Sequence, residues 1–259
     1  MLANYHTHTY LCHHASGKPE EYVEKAIENG LKILGFSDHV PMPYSKPDYV
    51  SRSRMSLAET ELYVNTVLGL KEKYKDDIMI YLGYEAEYLP REFENMLKHV
   101  TSYPIDYLIL GQHFSNNEYD GQYFGMPFLK EKLLVNYVDQ AIAGMESGVF
   151  TYLAHPDLPN FIGFKPIYQR EMKRLIEAAN RLEIPMEFNL LGLATHRNYP
   201  NDTFWKMVSE MGGTVVLGCD AHQVDMVGNK EIIAAGEKKL AQFGLKATED
   251  FPLKKVRQL

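Results

Sequence analysis

At 259 residues, 45% apolar and 24% charged, the chain has ample apolar material for a large core, which excludes disordered, collagen-like and coiled-coil readings. A net charge of -7, with no stripe of Lys and Arg, excludes nucleic acid as the main partner. Cys12 and Cys219 are too few for a disulfide framework, no apolar run reaches the ~18 residues of a membrane span, and the start carries no secretion signal, so the expectation is one domain, residues 1–259, in the cytoplasm with no membrane partner.

Short apolar runs alternate along the chain with segments of helical periodicity. The first predicted strand, 2–5, runs into His6-Thr7-His8. A helix then opens at Lys18-Pro19-Glu20-Glu21 and closes at Asn29-Gly30. Strand 32–36 ends in Ser37-Asp38-His39. Residues 41–56, rich in Pro, Tyr and Ser, are the longest irregular stretch, either a lid or a surface excursion. Helix 57–75 carries the stripe Leu57, Leu62, Val64, Val67, Leu68, Leu70 and Tyr74, and strand 78–84 leads into Glu85-Ala86-Glu87. Strand 106–111 ends in Gln112-His113, and helix 129–148 precedes strand 151–154, which ends in His155-Pro156-Asp157. Helix 167–182, strand 185–188 and helix 202–211 follow, and strand 214–218 runs into Cys219-Asp220-Ala221-His222.

This alternation predicts a parallel sheet with helices outside it, either open and doubly wound or closed as a barrel. In a barrel the C-terminal strand ends converge on one face, where active sites are built. A single histidine at a strand end is ordinarily a packed or hydrogen-bonded residue. Here six of seven predicted strand ends carry histidine or carboxylate, and residues two apart share a side, so His6 with His8 and Asp220 with His222 form pairs. Imidazole and carboxylate donors suit Zn, Mn or Fe in a catalytic site. The ligand candidates are His6, His8, His14, His39, Glu85, His113, His155, Asp220 and His222, enough for two or three divalent metal ions at about three protein ligands each.

The succession H-T-H, His14, F-S-D-H, G-Y-E-A-E, Q-H, A-H-P-D and G-C-D-A-H resembles the PHP superfamily, named for polymerase and histidinol phosphatase, from His6 to about Gly228. Within it, the chain resembles the PHP-type histidinol-phosphate phosphatases through residues 6–15, Ser53-Arg54-Met55, Tyr103-Pro104-Ile105-Asp106-Tyr107, His155-Pro156-Asp157-Leu158-Pro159 and Asn189-Leu190-Leu191-Gly192-Leu193. The resemblance implies an α/β fold, a distorted (β/α)7 TIM-like barrel with a trinuclear metal site at the C-terminal ends of the strands. It gives His6, His8, Glu85 and Asp220 to the first ion. Glu85 bridges to a second ion held by His113 and His155, and His14, His39 and His222 hold the third. His14, rather than its neighbour His13, fits the family spacing. The implied activity is hydrolysis of L-histidinol phosphate in histidine biosynthesis. The alternative is a phosphoesterase acting on another small phosphate ester or a nucleotide.

Metal ions lower the pKa of bound water from about 15.7 toward about 7, so a metal-activated hydroxide can attack phosphorus in line without a covalent intermediate. Three divalent ions bring a charge of about +6, so an acidic protein can still hold a phosphate dianion. Arg197 is the first candidate for an additional phosphate clamp and Arg54 the second, since a planar guanidinium offers paired donors. The leaving alkoxide needs a proton, for which Asp157 and His196 are the candidates; either could instead recognise an amine or imidazole. Asp38 and Glu87 are expected to orient ligands or to be structural. Tyr10, Tyr44, Tyr84, Phe114, Tyr119 and Phe124 are candidates for pocket wall or for ordinary packing. Oligomeric state is left open.

Overall fold

In the computed structural model, which describes residues 1–46, 48–249 and 251–257, the strand pairings are parallel, as alternation with helices requires. Strands β1 (Ala3–Asn4), β2 (Ile33–His39), β3 (Met79–Ala86) and β4 (Tyr107–Leu110) form one sheet in that order, and β5 (Met186–Asn189) pairs with β6 (Val215–Gly218) in another. Leu153 joins the two, bridging to Leu110 on one side and Met186 on the other, while Thr7 bridges to Ala221 beyond β6. The strand expected at 151–154 is thereby corrected to a single bridging residue. Leu153 makes backbone hydrogen bonds on both sides, but His155 takes φ 29°, in the left-handed region, and the chain turns out of the sheet.

Helices α1 (Pro19–Glu28), α2 (Thr60–Lys73), α3 (Phe93–Val100), α4 (Glu131–Glu146), α5 (Lys165–Arg181), α6 (Leu190–Ala194), α7 (Asp202–Met211) and α8 (Lys230–Gln242) complete the fold. α1 begins with proline and two glutamates in its first turn, as its sequence signals require. The helix expected over 57–75 is divided into a one-turn 3-10 helix, Leu57–Glu59, and α2. Two helices, α6 and α8, were not expected. α3 buries Phe93, Met96, Leu97 and Val100 at helical spacing in only eight residues. α8 is capped by Asn229, whose side chain accepts from the amides of Glu231 and Ile232.

Inside the curl of the sheet lie Ala3, Tyr5, Tyr107, Ile109, Tyr152, Ala154 and Val216. Tyr107 fits there because Gly35 and Gly83 present no side chain; a Cβ at either would overlap its ring. Its hydroxyl donates to the carbonyls of Tyr5 and Phe36, at 2.7 and 3.1 Å. Phe251, on the C-terminal segment, packs edge-on against Tyr5 and Tyr152 and covers the N-terminal end of the curl. The opposite end is left to polar residues. Among the described residues, no helix is long and apolar enough to cross a membrane.

Candidate metal centre

Backbone pairing beyond the named strands assembles the site. The amide of His8 donates to Ala221 O at 2.9 Å and that of Ala221 to His6 O at 3.2 Å, which sets His6 and His8 beside Asp220 and His222. His39 stands opposite Glu85 in the β2–β3 register. His155 and Asp220 both have positive φ, 29° and 47°, a conformation costly for residues with a Cβ and held by the surrounding structure.

Glu85 is the junction, with its two oxygens turned to different imidazoles. Oε2 lies 3.0 Å from His39 Nδ1 and 3.5 Å from both His6 Nε2 and His8 Nε2. Oε1 lies 2.8 Å from His155 Nε2 and 3.4 Å from His113 Nε2. Asp220 Oδ1 stands 3.2 Å from His8 Nε2, 3.4 Å from His6 Nε2 and 3.3 Å from His222 Nδ1. His14, His39 and His222 bring their donor atoms within 4.8 Å of one another, as do His6, His8 and Glu85, and also His39, Glu85 and His113. His14 is therefore the cluster member. His13 instead takes φ 66° and points its ring toward Glu59. Cys12 belongs to a further such group with His8 and His222.

The donor set fits metal ions. His14 Nδ1 donates to Cys12 O at 2.7 Å and His222 Nδ1 to Asp220 O at 3.0 Å, so in the neutral rings both Nε2 atoms carry lone pairs. Those two atoms face each other at 3.0 Å, a repulsive arrangement that a shared cation makes favourable. His6 Nε2 and His8 Nε2 are buried without a hydrogen-bond partner; an imidazole nitrogen left so costs about 1–3 kcal/mol unless a ligand satisfies it. His6 Nδ1 is engaged by Glu187 Oε1 at 2.7 Å, which leaves Nε2 to face the centre. Asp38 and Glu87 stand behind the cluster: Asp38 lies 3.6 Å from His8 Nδ1, which has no hydrogen-bond partner, and Glu87 accepts from the His113 amide at 3.0 Å.

Charge follows the same pattern. Burial opposes ionisation of Glu85 and Asp220, yet the neighbouring imidazoles hold both carboxyls well below the usual range. Burial likewise disfavours His6⁺, but Glu187, Asp220 and Glu85 outweigh it and raise that ring to about 10. His14 is lowered to about 4 by burial and by His222. Two ionised carboxylates amid crowded imidazoles attract positive charge, and metal ions provide it without protonating the ligands.

Above the cluster opens a cavity of about 280 Å³, walled by Arg52, Ser53 and Arg54 on one side and by Phe114, Tyr123, Leu158, Arg197 and Tyr199 elsewhere. Arg197 donates to Tyr199 Oη at 2.7 Å and has no carboxylate partner within ion-pair distance among the described residues. Arg54 is buried between Glu87, at 2.7 Å, and Glu118, at 2.9 Å. Neither general-acid candidate lies on the cavity wall. Asp157 is buried beneath it, Oδ2 accepting from the Asn201 amide at 2.6 Å and from Trp205 Nε1 at 2.9 Å, so it pins the start of α7. His196 is exposed, on a backbone with φ 54°. Of the proposed wall aromatics only Phe114 lines the cavity, while Tyr123, Tyr199 and Arg52 were not foreseen. Glu187 was missed too, although a carboxylate within the strand Pro185-Met186-Glu187-Phe188 was its visible signal.

Burial raises the Asp157 carboxyl to about 7, against the pull of its hydrogen bonds from Asn201 and Trp205. The folded protein thus keeps a proton that the unfolded chain releases near pH ~4. The resulting stability is full below that pH, declines as pH rises and is gone above about 7. Asp157→Asn is expected to remove about 2–4 kcal/mol of this decline, read as a flatter urea-unfolding profile between about pH 4.5 and 7.5. Parallel profiles for parent and variant would show that Asp157 is ionised when folded.

A family model described as PHP domain matches residues 4–190. A protein of Deinococcus radiodurans named "Probable histidinol-phosphatase" is 29% identical over 244 residues, 88% of each chain. A Schizosaccharomyces pombe protein of the same name is 25% identical over 255 residues, covering 88% of this chain and 83% of its own. Among solved structures, the histidinol phosphate phosphatase of Lactococcus lactis, complexed with zinc, L-histidinol and phosphate, superposes with a TM-score of 0.72 at 18% identity over 96% of both chains. The two share a fold.

Proposed function

This chain belongs to the PHP domain family, and on that premise we propose that it is a metal-dependent phosphatase that hydrolyses L-histidinol phosphate to L-histidinol and phosphate. Two relatives spanning most of the chain carry the name "Probable histidinol-phosphatase", and the Lactococcus lactis protein of the same fold is complexed with zinc, L-histidinol and phosphate. The observation that carries the reading is the Glu85 junction, one buried carboxylate dividing its oxygens between two groups of imidazoles. The single bridges at Thr7 and Leu153 support a distorted (β/α)7 barrel as one domain, with this centre at the C-terminal strand ends. Two buried free thiols support a reducing, cytoplasmic setting.

His6, His8, Glu85 and Asp220 would hold one divalent ion, Glu85 with His113 and His155 a second, and His14, His39 and His222 a third. When bound, Zn, Mn or Fe ions supply Lewis acidity and a water whose pKa is lowered toward ~7. The chain does the positioning. Glu187 turns His6 through a hydrogen bond to its Nδ1, so Nε2 of that ring faces the centre before substrate arrives, while Asp38 stands near His8 and Glu87 holds the His113 backbone amide. Arg197, steadied by Tyr199, takes the phosphate at the cavity edge. Phe114, Tyr123 and Leu158 offer an apolar wall to the rest of the ester.

Protein purified without chelator is expected to carry divalent metal and to release phosphate from L-histidinol phosphate in preference to nucleotides, sugar phosphates and aryl phosphates. Chelation or His113→Ala should abolish that release. Metal binding with preference for another ester would leave the centre standing and overturn the substrate. Arg197→Ala is expected to raise KM about 10- to 100-fold, the loss of a charge-assisted hydrogen bond, with Arg197→Lys between it and the parent. An unchanged KM in both variants would take Arg197 out of phosphate binding.

A further inference from the structure

One carboxylate on the 113–124 loop collects the 41–56 loop from four directions. Glu118 accepts from Tyr44 Oη at 2.7 Å, from Ser51 Oγ at 2.8 and 2.9 Å, from Ser53 Oγ at 2.9 Å and from Arg54 Nε at 2.9 Å. Ser45 is tied separately to Glu92 Oε1, at 2.8 Å, while Pro47 lies outside the described residues. From Arg54 the contacts run inward: NH2 donates to Glu87 Oε2 at 2.7 Å, and Glu87 Oε1 accepts from the His113 amide at 3.0 Å and faces His113 Nδ1 at 3.5 Å. The side chains of Arg54, Glu87 and Glu118 are only 3%, 1% and 8% exposed. Burial opposes ionisation of Glu118, but Arg54, Tyr44, Ser51 and Ser53 bring its carboxyl down to about 2.

Arg54 is therefore paired with two carboxylates where it lines the cavity. Apolar residues of similar volume could close a loop as firmly as a buried ion triad does. What charged groups with fixed hydrogen-bond directions add is orientation, and the group oriented here is His113. We propose that Glu118 is a positioning residue: it anchors residues 51–54 beside the cavity and, through Arg54 and Glu87, fixes the His113 ring toward Glu85. This rests on the reading that His113 belongs to the metal centre.

The test compares the parent with Glu118→Ala, Glu118→Gln and the double variant Ser51→Ala/Ser53→Ala, with folding checked by circular dichroism. Trypsin cleavage after Arg52 reports loop anchoring, and metal content after dialysis against graded citrate reports the centre. Both are independent of turnover. In Glu118→Ala, cleavage is expected to rise about tenfold as the loop opens more often. Half the metal lost by the parent should be lost at about tenfold lower citrate, as for removal of a group that orients a ligand. The kcat for L-histidinol phosphate should fall more than KM changes. Glu118→Gln, whose amide oxygen can still accept from Tyr44 and the serines, should recover part of each effect. Faster cleavage with parental metal retention and kcat would overturn the proposal, since Glu118 would then only tether a loop. No change in any readout would overturn it too. If Glu118→Ala does not fold, the serine double variant decides: smaller shifts in the same directions support the relay, and parental behaviour overturns it. A parent that ignores L-histidinol phosphate would sink the substrate assignment alone, because cleavage and metal retention still judge Glu118.

Discussion

Glu85→Gln is expected to lower phosphate release by about a thousandfold or more and to cost the protein bound metal, although the side chain keeps its size. The reason lies in how the carboxylate is shared. Its Oε2 faces His6, His8 and His39 while its Oε1 faces His113 and His155, so an amide nitrogen on either side would turn a donor toward a cation. The variant also removes one of the two carboxylates that face His6 Nε2 and His8 Nε2, leaving Asp220. Elemental analysis of the purified variant and its kcat are the measurements. Parental metal content together with parental turnover would mean that Glu85 bridges nothing.

Gly111→Ala is expected to come close to the same loss, about a hundredfold, without touching a ligand. Gly111 follows β4, its amide donating to Ala86 O at 3.1 Å, and a Cβ there would overlap the Glu85 carboxylate. Gly218→Ala strikes a carboxylate behind the site in the same way, because its Cβ would overlap Glu187, which holds both His6 Nδ1 and the His155 amide. Neither glycine has a positive φ, so the effect is steric displacement rather than backbone strain. Gly69→Ala in α2 is the control. Nothing lies within 4 Å of a Cβ at Gly69, and the change should stabilise the helix by about 0.5–1 kcal/mol. Circular dichroism separates displaced carboxylates from unfolding: Gly111→Ala and Gly218→Ala should keep the parental spectrum while losing metal and turnover. Full activity in both would show that the centre tolerates movement of Glu85 and Glu187.

Much of this was legible in the chain because it depends on short-range geometry. Period-two alternation puts His6 with His8 on one side, alternating strands and helices give a parallel sheet, and parallel strands bring their C-terminal ends together. The same logic brings Glu85, His113, His155, Asp220 and His222 to one place. Family spacing favours His14 over His13. The structure adds the physical reason, since a left-handed turn at His13 sends that ring toward Glu59.

Other features were decided only by residues far apart in sequence. Arg54 is held between Glu87 and Glu118, which lie 33 and 64 residues away, a pairing no local spacing announces. Asp157 looked like an acid beside a ligand, yet its Oδ2 is taken by Asn201 and Trp205 of a helix 44 to 48 residues on. Glu187, 181 residues from His6, selects which nitrogen of that ring faces the centre. Spacing and periodicity are local, so they set which donors exist and at which strand ends they emerge. Tertiary structure decided which charges neutralise one another and which stay open to the cavity, because a side chain's partners come from whichever segments folding packs against it.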